Sequence, residues 1–421
     1  MMHLIRLLAG AAIGLGALVP AAMAQEVEIT VAHAYGAIFR PIHEQIIAEF
    51  NKEFPNIKVT LEAPQPDYEQ LVQRTLSGIP QSNAPTLTFQ GVNQIRQFVD
   101  AGQAHDLSAF VAEDPRWKEG GYYPTMMELG RFDEKQMAIP FAISTPIMYF
   151  NADLFEKAGL DPSAPPTTWP EVIEAAKAIE AAVPGTTGLF YDYLITGNWD
   201  FQVLVYSEGG SMMNEAETEV TFDEEPGLRA VRLLRSFVDE GVMENWTRAQ
   251  GEQSFIAGQV GFYFSSTAWL AGVQDKANFD IRTAFWPESS TGERRLPSGG
   301  NAAMIITDDP EEAKAAYEYA MFAAGPIGTA IMVPGSGYMP MHEEGTKRLA
   351  SFYEENPNFK ISVEQIPYIF TWYAFPGQNT LKSIDVIRDS LQAIVAGQVS
   401  PEEGIKQAAH EVETLVSVDK K

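Results

Sequence analysis

Six histidines, 56 carboxylates and no cysteine are the stock from which any chemistry in this 421-residue chain must come. Without cysteine there is no thiolate nucleophile, disulfide, zinc ribbon, iron–sulfur ligand or lipid-modified N-terminal cysteine. The histidines lie far apart in sequence, and no His-Glu-x-x-His pair is present to hold zinc. A Gly-x-Ser-x-Gly elbow, a phosphate-cradling Gly-x-x-x-x-Gly-Lys-Ser/Thr loop and a dinucleotide Gly-x-Gly-x-x-Gly are also missing. Neighbouring acids such as Asp133-Glu134 and Glu311-Glu312 could pair for glycosidase chemistry, but in so acidic a chain a solvated turn or helix start explains them better. His33, after an apolar alternation, could touch a ligand, although a hydrogen-bonded structural histidine is the preferred reading. The expectation is therefore no catalytic residue, no metal and no cofactor.

Rings are what the turn-rich stretches do carry. Tyr35, Tyr68, Trp199, Trp269, Trp286, Tyr338, Trp372 and Tyr373 stand near expected strand ends, often beside Gly, Asn, Asp or Ser. Flat rings that stack on a sugar face, flanked by hydroxyls and amides, suit a carbohydrate or polyol cleft. For any one tryptophan, packing is an equally good account.

The elements that would position these rings alternate between two periods. Val27, Ile29 and Val31 alternate with polar neighbours, then Ile38, Ile42, Ile46 and Phe50 recur every four residues, so a strand feeds a helix through a Tyr35-Gly36 turn. Ile57, Val59 and Leu61 predict a second strand, Tyr68 to Leu76 a helix, and Leu87 to Phe89 a third strand ending at Gly91. Thr168-Trp169-Pro170-Glu171 is a capping box that opens a helix to Ala182. Leu228, Val231, Leu234 and Val238 line a helix stopped by Gly241, and Phe255 to Gly258 turns into the strand Val260 to Phe264. Ile384 to Ile394 is a helix stopped by Gly397, and Ser400-Pro401-Glu402-Glu403 caps the last one. This is the grammar of an α/β fold.

Composition bounds the rest. Apolar residues make up 45% of the chain, enough for a large core and for two or three domains, and the net charge is −27. No basic run exists to release phosphate counterions, which makes nucleic acid an improbable partner. Residues 1–24, with Arg6, an apolar Leu7 to Pro20 and a closing Ala22-Met23-Ala24, read as a signal peptide cleaved after Ala24, so a periplasmic, exported protein is expected.

Ser144-Thr145-Pro146-Ile147-Met148-Tyr149-Phe150-Asn151-Ala152-Asp153-Leu154-Phe155, continuing through Gly159-Leu160-Asp161-Pro162 to Pro165-Pro166-Thr167-Thr168-Trp169, is the most specific stretch of the chain. With Asn83-Ala84-Pro85, Asp67-Tyr68-Glu69-Gln70, Gly299-Gly300, Ser336-Gly337-Tyr338-Met339-Pro340 and Gly397 to Glu403, it resembles the extracellular solute-binding proteins of ABC importers, in the branch that includes glycerol-3-phosphate-binding periplasmic proteins. The resemblance implies a two-lobed periplasmic-binding-protein-like fold (type II) joined by crossover strands. Lobe one is expected at 25–141 plus 300–334 and lobe two at 142–299 plus 335–421, with the first crossover at Ile139 to Ala142. It also implies delivery of a small ligand to inner-membrane ABC permease subunits, by a protein expected to be monomeric.

Carried over residue by residue, the resemblance points to Tyr68, Glu69, Ser144, Trp199, Ser265 or Ser266, Gly300 and Tyr338 as ligand contacts, to which Tyr35 and Trp372 add stacking area. One departure concerns charge. Where that branch has a phosphate-binding arginine before its last helices, this chain has Phe375-Pro376-Gly377-Gln378-Asn379. Loss of a planar, paired donor favours a neutral sugar, glycoside or polyol over a glycerol phosphate, with Arg40 the candidate replacement if the ligand is anionic. A secreted carbohydrate hydrolase is the alternative; it accounts for the export signal and the rings but not for the missing catalytic motifs.

Overall fold

The computed structural model describes residues 26–418, so the expected signal peptide lies outside the described residues. Nine strands build two sheets: β1 (Val27–His33), β2 (Ile57–Leu61), β3 (Leu87–Gly91), β4 (Ile139–Ser144), β5 (Pro146–Asn151), β6 (Thr187–Tyr191), β7 (Val260–Ser266), β8 (Ile281–Ala284) and β9 (Gly299–Ile305). The first sheet runs β2-β1-β3-β9-β4 and the second β8-β5-β7-β6. In the first, β1 is parallel to β2 and β3, while β9 runs antiparallel between β3 and β4. Every residue of β3, β4, β5 and β7 is buried, as expected of central strands covered by helices on both faces.

The helices follow from the spacings that foretell them. Gly36–Glu53 buries Phe39, Ile42, His43, Ile46 and Phe50 against the first sheet. Pro310–Ala324, capped by Asp309 and lined with small alanines, lies close over β1 and β4. In the second sheet Trp169–Ala182 packs on β6, and both halves of its Thr168–Glu171 capping box are formed. Gly241 and Gly397 adopt φ of 75° and 68°, the left-handed conformation that ends the preceding helices. Glu225–Asp239, Thr380–Val395 and Pro401–Val418 pack together as one helical layer.

Only Thr145 separates β4 of one sheet from β5 of the other. Its N–H donates to Thr267 Oγ1 at 3.2 Å, its carbonyl accepts from Thr267 N at 2.9 Å, and its hydroxyl accepts from Gln365 Nε2 at 2.6 Å. The first sheet keeps the chain through Ser144 and takes it back at Gly299. His342 bridges to Tyr122, and Glu343–Arg348 packs on Pro326–Met332, so this stretch stays with the helices of the first sheet. Between the sheets' helical layers, Arg96 of Ile95–Asp100 donates to Glu217 and to Ala374 O, and Tyr373 OH donates to Glu217.

His43 shows what the first core demands. It is fully buried, stacks on Phe141 with centroids 5.2 Å apart, and places Nδ1 3.0 Å from Tyr319 OH. Burial, then the neighbouring His33, pull its pKa down from 6.5 to about 3. A depressed value means that the unfolded chain binds the proton more readily, so this contribution is complete above pH 6.5 and is lost as pH falls toward 3. The thermal midpoint should therefore drop between pH 6.5 and 4.5, and His43→Gln should flatten that slope in pH-dependent melting curves.

Candidate functional site

Ligand sites of α/β sheets form beyond the carboxyl ends of the strands, and here those ends converge. After β1 the chain reaches Tyr35, which takes the left-handed conformation (φ 50°) and donates its N–H to Gln65 O at 2.9 Å. Asp67 caps the next helix through Gln70 N at 2.7 Å and so sets Tyr68 at its first turn. Tyr68 meets Tyr35 edge to face at 4.9 Å and accepts from Asn301 Nδ2 at 3.0 Å. Ser144 ends β4, Ser266 ends β7, and Tyr338 follows Gly337, whose φ is 105°.

Two glycines let the opposite wall approach. A Cβ on Gly299 would lie 2.7 Å from Ser144 Oγ and 2.9 Å from the Trp199 ring. One on Gly300, at φ 95°, would lie 1.8 Å from Ala142 O. Trp199 is 2% exposed and donates from Nε1 to Pro297 O at 3.2 Å. Trp372 stands 6.3 Å from it, centroid to centroid.

These residues enclose a cavity of about 150 Å³ between the two sheets, room for roughly five waters or about one sugar ring. Of the eleven sequence candidates, Tyr35, Tyr68, Ser144, Trp199, Ser266, Gly300, Tyr338 and Trp372 line it. Three do not. Ser265 sits behind the wall and donates to Asp192 at 3.2 Å. Glu69 lies beside Tyr68 outside the lining, where burial raises its carboxyl pKa. Arg40 is half-exposed and paired with Glu44 at 3.0 Å, outside the cavity. His33 is likewise buried away from it, with Nδ1 3.0 Å from Ala34 O.

The cation that sequence reasoning missed is Arg248. It lines the cavity, and its Nε donates to Asp192 Oδ2 at 3.0 Å. Its local signal was the Thr247–Gln250 capping box, which places Arg248 at the start of a helix. Thr196 also lines the cavity, held at φ 46° although it is β-branched, with its buried hydroxyl unpaired. Trp269, noted among the rings, faces in as well, whereas Trp286 is fully buried against Trp169, Tyr191 and Phe264 and belongs to the second core. Asp133 and Glu134 form a positive-φ turn and Glu311-Glu312 a helix start, neither near the cavity.

Among the described residues no group of three or more His, Cys, Asp or Glu side chains is placed to hold a metal ion, and no helix is long and apolar enough to cross a membrane. The site depends most sharply on Gly300. Gly300→Ala should cost about 2–4 kcal/mol of stability, from positive-φ strain and the clash with Ala142 O, whereas alanine at Gly272, exposed and unobstructed in the helix Leu270–Lys276, should cost nothing and gain up to about 1 kcal/mol. Denaturant unfolding of both variants checks this.

The chain matches the family model for bacterial extracellular solute-binding proteins over residues 45–361. The sn-glycerol-3-phosphate-binding periplasmic protein UgpB of Pectobacterium atrosepticum is 24% identical over 399 residues, covering 87% of this chain and 86% of its own. In structure, the chain is similar to UgpB of Mycobacterium tuberculosis in complex with glycerophosphocholine (TM-score 0.80, 21% identity, 94% and 99% of the two chains). A Listeria monocytogenes ABC substrate-binding protein in complex with cycloalternan is equally similar in fold (TM-score 0.80, 18% identity, 93% and 100%).

Proposed function

The chain belongs to the bacterial extracellular solute-binding proteins, the ligand-capturing components of ABC importers, and we propose that it takes a neutral sugar, glycoside or polyol into the cavity between its sheets. The observation that carries this reading is the lining itself, in which six rings and several small or hydroxyl residues meet at the junction of the two lobes. Stacking on a sugar face needs flat rings, and orientation needs a few fixed polar groups. The relatives bind both glycerol phosphates and oligosaccharides, by their names. Within that range the lack of a cation at Phe375 to Asn379 supports the neutral class.

The chain is read as a binder and not as a hydrolase. Glycoside hydrolysis uses two carboxyl groups about 5–9.5 Å apart across the bond to be cleaved, and among the described residues no Asp or Glu lines the cavity. The protein acts as a monomer in the periplasm after cleavage at Ala24, with a permease and no nucleic acid as its macromolecular partner. Its two lobes hinge at Thr145 and at the return into β9.

If the lobes close on one ligand, a binding sugar should shrink the particle in small-angle scattering and raise the melting temperature with ligand excess, by RT ln(1 + [L]/Kd) in free energy. The sugar should be recovered intact by mass spectrometry. Unchanged scattering at saturation, or cleaved sugar, would overturn the reading.

A further inference from the structure

Arg248 is fixed at both ends. Its backbone starts the helix Arg248–Ile256 under the Thr247–Gln250 capping box, and its Nε is held by Asp192, the residue after β6. Asp192 is fully buried and gathers three donors on one oxygen, Arg248 Nε at 3.0 Å, Ser265 Oγ at 3.2 Å and Tyr263 OH at 3.3 Å. A buried carboxylate stripped of its cation is costly, so the pair keeps the guanidinium in place.

Arginine carries five N–H donors, of which the pair with Asp192 uses one. Among the described residues no hydrogen-bond partner takes the four donors on the two Nη atoms, and the side chain is 45% exposed. Among the described residues, Arg248 is also the one charged residue of the cavity lining. Two further polar groups of that lining are unpaired: Trp372 Nε1, on a ring 3% exposed, and the Thr196 hydroxyl. A buried polar atom without a partner in a cavity wall marks where a ligand atom or water belongs.

The balance of charge decides what that ligand is. Asp192 pairs with the guanidinium through Nε at 3.0 Å and offsets its charge, while burial first, and Asp192 second, push the Asp200 carboxyl well above the ordinary carboxylate range, so that it adds no opposing charge. A phosphate or carboxylate would meet a donor fork with no net charge to offset its own desolvation. Hydroxyl oxygens need only the donors.

We propose that Arg248 is the specificity-determining residue of the cavity, a charge-compensated fork whose Nη donors bridge adjacent hydroxyl oxygens of a neutral sugar or polyol, with Asp192 as its positioning residue. This rests on the reading of the cavity as the ligand site. It names the group that separates neutral ligands from their phosphorylated or oxidised counterparts.

The test is a thermal-shift and calorimetric panel of neutral mono- and disaccharides and polyols, each beside its phosphate ester or uronic acid. Wild type should bind a neutral member most tightly, and its anionic counterpart about tenfold or more weakly. Arg248→Met should cost that neutral ligand about 10–100-fold, the scale of charge-assisted hydrogen bonds. Asp192→Asn, which keeps shape and removes the compensating charge, should shift the neutral-to-anion affinity ratio toward the anion, a change that loss of packing alone would not produce. Because Arg248→Met strands a buried carboxylate, the double variant Arg248→Met/Asp192→Asn carries the same affinity test in a chain without the unpaired charge. Neutral binding untouched in that double variant, or an unchanged ratio in Asp192→Asn, overturns the proposal while leaving the cavity as the ligand site. A wild-type preference for an anion also overturns it. A panel without any binder sinks the proposed function and this inference together.

Discussion

The absence of a side chain at Gly299 and Gly300 is the constraint on which the cavity depends. At these two positions β9 enters the first sheet beside β4, with Gly299 opposite Ser144 and Gly300 opposite Ile143. Trp199 can lie against the strand only because Gly299 carries nothing, and Gly300 takes a φ of 95° at which any Cβ would run into Ala142 O. The rings of Tyr338 and Trp199 then press on a strand start that has no bulk of its own. With side chains there, Ser144, Trp199 and Tyr338 could not keep their present positions in the cavity wall.

Polar groups are handled differently in the two halves. Around β1, histidines and tyrosines are buried neutral, with His43 bonded to Tyr319 and held far below its ordinary pKa. Beyond β6 a carboxylate is buried, and the second sheet answers with a cation from a helix start and two hydroxyls from β7. The first arrangement excludes charge. The second places a charge beside the cavity and cancels it in place, which leaves donors without a field. The overall charge of −27 has little say in this, since salt screens surface charge within about 8 Å.

Much of this was legible in the sequence because it depends on local spacing. The every-fourth-residue apolar pattern from Ile38 to Phe50 and the capping box at Thr168 specify their helices without help from elsewhere, and both are formed. The rings near strand ends were legible as a class, but their fates were not. Trp199 and Trp286 share residue type and loop context, yet one faces the cavity and the other the second core, because a strand end fixes a position and only tertiary packing fixes a direction. Arg248 escaped for a related reason: its meaning comes from Asp192, 56 residues earlier, which nothing local ties to it. Arg40 stands near the start of the first helix, which made it the candidate replacement for the missing phosphate-binding arginine, but four residues on Glu44 offers it an ordinary surface partner.

The same logic bears on how the two halves can move. The sheets are joined at Thr145, where both backbone groups and the hydroxyl are already bonded to Thr267 and Gln365, so the crossover itself has little freedom to stretch. Contacts farther from it are of another kind. Arg96, Glu217 and Tyr373 link the helical layers through side chains that are still partly exposed, and such pairs exchange with water at small net cost. A well-bonded crossover with a weakly bonded rim is the arrangement a hinge requires. On the proposed reading of the cavity as the ligand site, the lobes would part at the Arg96–Glu217 edge while the strand junction keeps register, and closure would be favoured chiefly by a ligand that fills the space between the rings.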